Sequence, residues 1–293
     1  MFKLNVIVPT YNNTVKLIAA VDSILKGSAN FDALVYIVDN NIPAGNPGVA
    51  DNYFKDHSQI EVIAGERNGP CQARNLAVSR MRCADFVFFL DDDVIVPVDY
   101  FGRAIDSFQK TNSDAITFNT FLYYGRVWGR IKKMLAYLLY FGEIHDPRGL
   151  VNYVSKCNVV SGGNFAIKGN LADRIFWDEA YEGYSFAEDV DYGIRASRVI
   201  NLNYDPSVNL YHNSVTKANS SKDLERRFLG LSYVLKKNVL FSAPLIVNYG
   251  LVIFVKSLKL RDLEFSLKLI FRSIPQVLLI RDPKKIMSLY LAL

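Results

Sequence analysis

Phe86-Val87-Phe88-Phe89-Leu90-Asp91-Asp92-Asp93 joins an unbroken apolar run to three consecutive carboxylates. The apolar part reads as a buried strand, and the acids close it abruptly. The same design recurs upstream. Leu4–Val8 is an apolar run ending at Pro9, Leu34–Val38 is one ending at Asp39, and Ile60–Ala64 is a third. Helical patterns lie between them. Residues 14–26 place Val15, Ile18, Val21 and Leu25 on one face. A second helix begins at Pro70, where a missing N–H costs nothing, and is expected to run to about Arg82. Strand and helix alternating in this rhythm predict an α/β fold whose sheet is at least partly parallel. Ligands bind such sheets beyond the carboxyl ends of the strands. The polar strand ends Pro9-Thr10-Tyr11-Asn12, Asp39-Asn40-Asn41 and Asp91-Asp92-Asp93 are therefore expected to converge on one crevice.

The chain has 293 residues, 50% hydrophobic and 22% charged, enough for one large domain or one domain with an appendage. This composition excludes a disordered chain, a collagen-like repeat and a disulfide scaffold. Charge is uneven: residues 1–221 carry a balance of −3 and residues 222–293 one of +8. Cys71, Cys83 and Cys157 are odd in number and fit no CxxC metal pair, which predicts reduced thiols in a cytosolic setting. No signal-peptide apolar region precedes Leu4–Val8. The longest uncharged stretch, Val239–Val255, is short for a membrane span and holds Pro244, Asn248 and Gly250. In the middle of the chain, Asn158–Ile167 is expected as a strand, Glu188–Val199 as a helix and Asn209–His212 as the end of another strand.

Several groups carry chemistry by residue type. Alternate carboxylates at a strand end point to one side, so two of Asp91-Asp92-Asp93 make a hard oxygen site for Mg²⁺ or Mn²⁺; the plainer alternative is a solvated acidic loop. Asp39 is placed to accept a hydrogen bond from a nucleobase, or is simply a turn residue. Arg74 suits phosphate oxygens, or is a solvated helix charge. Glu188-Asp189 opens a helix, where acids favour the dipole; after the aromatic loop Tyr181–Phe186 a carboxylate there also suits a general base on an acceptor hydroxyl. His212 is a metal ligand by type, although a lone histidine is more often structural. Ser161-Gly162-Gly163-Asn164 lets backbone approach a ligand, or forms a turn.

The order of these signals is more telling than any one. Val6–Asn12, Val38-Asp39-Asn40, Arg67-Asn68-Gly69-Pro70-Cys71-Gln72-Ala73-Arg74-Asn75, the Asp triplet, Gly162-Gly163-Asn164 and Glu188-Asp189 follow one another as in the family 2 glycosyltransferases of GT-A fold, which this chain resembles over about residues 3–215. The resemblance implies a mixed α/β sheet flanked by helices, a nucleotide-sugar donor linked to UDP, GDP or dTDP, a divalent metal (Mn²⁺ or Mg²⁺) and inversion at the anomeric carbon. It implies a catalytic domain over 1–221, with a nucleotide-sugar half to about 115 and an acceptor half from about 116. Pro9, Thr10 and Tyr11 would line the nucleoside pocket, and Asp39 would bind the base. Arg74, Asp91, Asp92, Gly163 and Asn164 would complete the donor site. Asp91, Asp93 and His212 would hold the metal. Asp189 would be the base, with Glu188, Tyr184 and Trp177 around the acceptor. Many members carry a second Asp where this chain has Asn40, so donor preference does not transfer.

Residues 222–293 lie outside the resemblance. Leu260, Leu263, Leu267, Ile270 and Ile274 recur at helical spacing among Lys256, Lys259, Arg261, Lys268 and Arg272. A basic amphipathic helix of this kind lies in an anionic lipid surface, or packs as an ordinary helical subdomain. Arg126–Phe141 repeats the basic-then-apolar design. The long aliphatics between the cations suit lipid rather than nucleic acid. The expectation is a cytoplasmic enzyme, peripheral or monotopic on the inner face of the cell membrane, acting on a glycan or lipid-linked saccharide. Two other readings stay open. A sugar-phosphate nucleotidylyltransferase would need a Gly-rich loop after the first strand, which Pro9–Asn13 lacks, and a non-catalytic glycan- or lipid-binding module would not need these acids.

Overall fold

The computed structural model describes residues 1–41, 49–65, 69–122, 144–148, 150–183, 185–212, 220–240, 242–260 and 262–293. Four strands open the chain: β1 (Lys3–Thr10), β2 (Asp32–Asp39), β3 (Ile60–Ala64) and β4 (Phe86–Leu90). They pair in parallel in the order β3-β2-β1-β4. The later strands are β5 (Val94–Ile95), β6 (Ala115–Leu122), β7 (Ser155–Lys156), β8 (Asn164–Lys168) and β9 (Leu202–His212). They extend the sheet from β4 as β8-β6-β9-β5, with β7 also on β9. β8 runs antiparallel to both β4 and β6, so the sheet is mixed.

The apolar run of β4 is explained by its place between β1 and β8. Successive strand residues face opposite ways. Val87 and Phe89 enter one core cluster, while Phe86, Phe88 and Leu90 enter the other. The second cluster is covered by α1 (Thr14–Gly27), α2 (Val49–Phe54) and α4 (Tyr100–Thr111). The first is covered by α3 (Pro70–Arg80) and α5 (Glu188–Ser197). Pro70 does stand at the start of α3, as its lack of an N–H allows. The expected strand over Asn158–Ile167 is shorter. Ser161 O accepts from Asn164 N at 2.9 Å, a turn that Gly162 and Gly163 permit, and pairing begins only at Asn164.

The basic C-terminal region is helical throughout its described residues: α6 (Ser221–Asn238), α7 (Ser242–Lys259), α8 (Leu263–Lys268), a π-turn at Leu269–Ser273, α9 (Ile274–Leu279) and α10 (Pro283–Leu291). The single amphipathic helix expected around residues 258–274 is broken. Asp262 accepts from Phe265 N at 2.9 Å and restarts the chain as a new helix. Its apolar residues divide accordingly, with Ile274 buried and Leu263 and Leu267 exposed. Pro244 does not stop α7, because it lies in the first turn, where no i−4 partner is lost. Phe228, Ile246, Ile253, Leu269, Val277 and Met287 join the same core cluster as α3 and α5, so these helices share the core of the sheet. Among the described residues no helix is long and apolar enough to cross a membrane. The Arg126–Phe141 segment lies outside the described residues.

Candidate active site

The ends of β1, β2, β4 and β9 meet in one crevice, and the short strand β5 explains how. Val94 pairs antiparallel with His212, which carries the end of β9 across to the acids leaving β4. His212 Nε2 lies 3.2 Å from Asp93 Oδ1 and 3.5 Å from Asp91 Oδ2. One donor atom from each of Asp91, Asp93 and His212 falls within 4.8 Å of the others. Asp92 points the other way. Its carboxylate accepts from Thr10 Oγ1 at 2.6 Å and from Asn13 Nδ2 at 2.8 Å, so it binds the β1–α1 turn to the acid loop. Lys16 Nζ stands 3.8 Å from Asp93 Oδ2. Two carboxylates and an imidazole form a donor set suited to Mn²⁺ or Mg²⁺. The loop behind them is shaped to it: a Cβ on Gly163 would fall 2.0 Å from Asp91 Oδ2. His212 and Arg74 pull the Asp91 carboxyl below the ordinary carboxylate range, against burial, which alone would raise it.

Arg74 lies beneath this group and is only 2% exposed. Its Nη2 donates to Asp91 Oδ1 at 3.3 Å, and its Nη1 lies 3.7 Å from Glu188 Oε1. The guanidinium sits 4.4 Å over the Trp177 ring. Among the described residues Nε and Nη1 are buried without a hydrogen-bond partner, so a buried cation has donors left over beside two carboxylates. Such donors are costly unless something occupies them. Gly162 makes room here, since a Cβ would meet Arg74 Nη2 at 2.9 Å.

Glu188 and Asp189 form the first turn of α5, entered through Ala187 in the left-handed region at φ 72°. Burial pushes both carboxyls up. Glu188 reaches about 7, with the charge of Asp189 adding to the effect. Arg148 restrains Asp189 by its charge. That guanidinium is clamped by Asp146, with Nε donating to Oδ1 at 2.7 Å and Nη2 to Oδ2 at 3.0 Å. Asp146 and Arg148 have no periodic signal, and nothing in their sequence context points to a site. Behind α5, the buried Asp191 accepts from Arg195 Nε at 2.8 Å, lies 2.9 Å from Lys237 Nζ and accepts from Asn238 Nδ2 at 2.8 Å, which fastens α5 to α6.

The remaining expected site residues are placed as follows. Asp39 is buried, and its Oδ1 accepts from the backbone N and Nδ2 of Asn41. Pro9 and Thr10 end β1 opposite Val38 and Asp39, and Tyr11 is exposed beside them. Asn164 is buried. It accepts from Tyr100 OH at 2.7 Å and donates to Asn119 O and Thr120 Oγ1, so its polar atoms serve the fold. Trp177, expected at the acceptor, is 3% exposed and stacks on Tyr192 at 4.3 Å. Its ring lies under the Arg74 guanidinium, and Asn75 pins its backbone through both polar atoms of its amide. Tyr184 lies outside the described residues.

The chain belongs to a known family: the model of glycosyl transferase family 2 matches residues 5–176. Its mixed sheet flanked by helices is the GT-A fold. Part of it is similar to the uncharacterized glycosyltransferase EpsJ of Bacillus subtilis, at 26% identity over 113 residues; the match takes in 39% of this chain and 32% of that relative. S. aureus TarS 1–349 in complex with UDP-GlcNAc superposes with a TM-score of 0.57 at 18% identity, covering 94% of this chain and 78% of that one. The mannosyltransferase PcManGT from Pyrobaculum calidifontis, in complex with GDP-Man and Mn²⁺, gives 0.57 at 16% identity, covering 98% and 86%. At these identities the likeness is one of fold.

Proposed function

We propose that the protein is a metal-dependent, inverting glycosyltransferase that moves a sugar from a nucleotide-sugar donor to a hydroxyl of a glycan or lipid-linked saccharide. The observation that carries this reading is a single crevice in which Asp91, Asp93 and His212 gather within 4.8 Å and Arg74 links Asp91 to the Glu188-Asp189 pair. The family match, and neighbours whose structures contain UDP-GlcNAc or GDP-Man with Mn²⁺, support a nucleotide-sugar donor linked to UDP, GDP or dTDP.

Asp91, Asp93 and His212 would hold Mn²⁺ or Mg²⁺, which when bound offsets charge on the leaving diphosphate. The chain's own residues do the rest. Asp39 accepts from the nucleobase with the oxygen that Asn41 leaves it, and Thr10, Tyr11 and Pro9 border the nucleoside. The open donors of Arg74 take a phosphate oxygen, with Gly163 giving the backbone room. Asp189 accepts the proton of the acceptor hydroxyl as its oxygen attacks the anomeric carbon from the face opposite the diphosphate. A base whose pKa is raised by burial is a stronger proton acceptor than an ordinary aspartate. Glu188, held by Arg74, stands beside it to orient the acceptor. One displacement inverts the centre and needs no protein nucleophile.

The acceptor meets this crevice from the membrane side, with the protein peripheral on the inner face of the cell membrane. Leu251, Val255 and Leu258 on α7 and Leu263, Leu267 and Phe271 beyond it are exposed, in a region carrying a charge of +8. Such a surface suits anionic lipid. The division into a catalytic region to 221 and a lipid-facing helical region beyond it belongs to the same proposal. The deciding test is Asp189→Asn: donor binding, followed by calorimetry, should be retained and sugar transfer lost. Transfer at the wild-type rate would remove Asp189 as the base.

A further inference from the structure

The C-terminal helices enclose a cleft of about 210 Å³ that the proposed chemistry does not use. It opens between α6, the α8–α9 stretch and α10. Its floor is apolar, built from Leu229, Val277 and Leu289, and Lys268, Arg272 and Gln276 supply its polar side. Glu225 neutralises Lys268, with Nζ 2.9 Å from Oε1. Arg272 has no ion-pair or hydrogen-bond partner among the described residues. The cleft therefore carries one uncompensated guanidinium over an apolar floor. Volumes of ~300–1,000 Å³ are usual for sites that hold whole ligands, so this one fits a smaller group. Directly beside Arg272, Phe271 is 77% exposed, and Leu279 on the next helix is 81% exposed. Large apolar side chains so exposed in one region mark a surface that meets something apolar.

We infer that this cleft binds the headgroup of an anionic phospholipid, with the phosphate on Arg272, the glycerol backbone toward Gln276 and the apolar floor, and Phe271 and Leu279 in the surrounding acyl layer. The inference rests on the membrane reading above and sharpens it from a basic surface to one specific site. The occupant follows from complementarity. A guanidinium matches a phosphate diester in charge and hydrogen-bond geometry. The adjoining aromatic and aliphatic side chains match the acyl region, which a free anion or an acidic protein segment does not supply. One bound lipid would also fix the depth of the helical region at the interface, and through the Asp191 contacts between α6 and α5 that of the crevice as well.

The test uses the full chain and two kinds of probe. The first is dihexanoylphosphatidylglycerol below its micelle concentration, titrated by calorimetry, with dihexanoylphosphatidylcholine and inorganic phosphate as comparisons. The second is sedimentation with phosphatidylcholine vesicles, with and without phosphatidylglycerol. Wild-type protein should bind the soluble anionic lipid at one saturable site and ignore the other two ligands. Arg272→Glu should weaken that binding by about tenfold or more, the value of a charge-assisted hydrogen bond. Ala292→Trp, which leaves charge unchanged and fills the cleft, should do the same. Lys284→Glu, an equal charge change on an exposed residue outside the cleft, should leave the affinity for the soluble lipid close to wild type. Equal losses from Arg272→Glu and Lys284→Glu would overturn the site and leave the membrane reading standing. Inorganic phosphate binding as tightly as the lipid would overturn a lipid occupant. Vesicle binding without any binding of the soluble lipid would overturn the site alone, and no vesicle binding would overturn the membrane reading itself.

Discussion

Replacing Gly163 by alanine adds one methyl group where the Asp91 carboxyl leaves no space. The new Cβ would stand 2.0 Å from Asp91 Oδ2 and 2.1 Å from its Cγ. Ordinary contact begins near 3.4 Å, so Oδ2 must retreat by about 1.4 Å. The group that must move is the whole carboxyl of one side chain and no backbone atom, and Gly163 does not occupy the left-handed region, so the backbone accepts the change. The fold should survive. Function should not survive, because metal ligands work within ~0.2 Å of their preferred distances. Asp91 would be withdrawn both from the group with Asp93 and His212 and from its 3.3 Å bond to Arg74. A misplacement of ~1 Å commonly costs ~100-fold in rate, equivalent to ~2.7 kcal/mol. Two measurements check this: Mn²⁺ titration of the donor-free protein by thermal shift, and kcat/KM for sugar transfer at saturating Mn²⁺. Two other glycines calibrate the result. A Cβ on Gly162 meets Arg74 Nη2 at 2.9 Å, so Gly162→Ala should give a smaller loss. A Cβ on Gly102 meets nothing within 4 Å, so Gly102→Ala, inside α4, should stabilise the fold without touching kinetics. Wild-type Mn²⁺ affinity and turnover in Gly163→Ala would refute the assignment of Asp91 as a ligand.

Asp93→Ala should abolish metal-dependent nucleotide binding in a calorimetric titration; unchanged affinity in the presence of Mn²⁺ would remove Asp93 from the site. Arg148→Gln should move the acid limb of the kcat/KM–pH profile to higher pH. Burial already raises Asp189, and without the opposing cation its proton is released later, so activity falls most at low pH and recovers as pH rises. A uniform loss at all pH values would make Arg148 a packing residue. Asp191→Asn should cost ~1.5–3 kcal/mol in urea unfolding, because Arg195 loses its buried anion while Lys237 keeps only Asp178, 2.7 Å away. A loss under ~1 kcal/mol would show that α6 is held to α5 by its apolar contacts alone.

What the sequence discloses here, and what it hides, follows from the range of each interaction. Strand β4 was legible because alternation along a strand is local: every residue of Phe86–Leu90 is buried, so every one must be apolar. Asp91-Asp92-Asp93 lie in the turn between β4 and β5, so their spacing suggests which acids share a side, and the turn, tied to β1 through Asp92, is what places them. His212 needed more, since its meeting with Asp93 depends on β5 pairing with β9 across more than a hundred residues. Trp177, expected at the acceptor, lies buried under Arg74, and in a sequence an aromatic residue near a polar loop looks the same whether it lines a site or carries one. The placement of Arg74 above it and Asn75 behind it comes from the fold and is not written in that loop. Arg148 was missed for a related reason. Asp146 and Arg148 satisfy each other, so they look like a surface ion pair until the fold places their charges beside Asp189. The C-terminal helices show the same limit from the apolar side. Helical spacing placed Leu263, Leu267 and Ile274 on one face, yet the cap at Asp262 and the π-turn at Leu269–Ser273 rotate the chain, burying Ile274 and leaving Leu263 and Leu267 exposed. Periodicity can therefore identify an amphipathic segment, but the breaks within it decide which of its apolar residues join the core and which stay exposed.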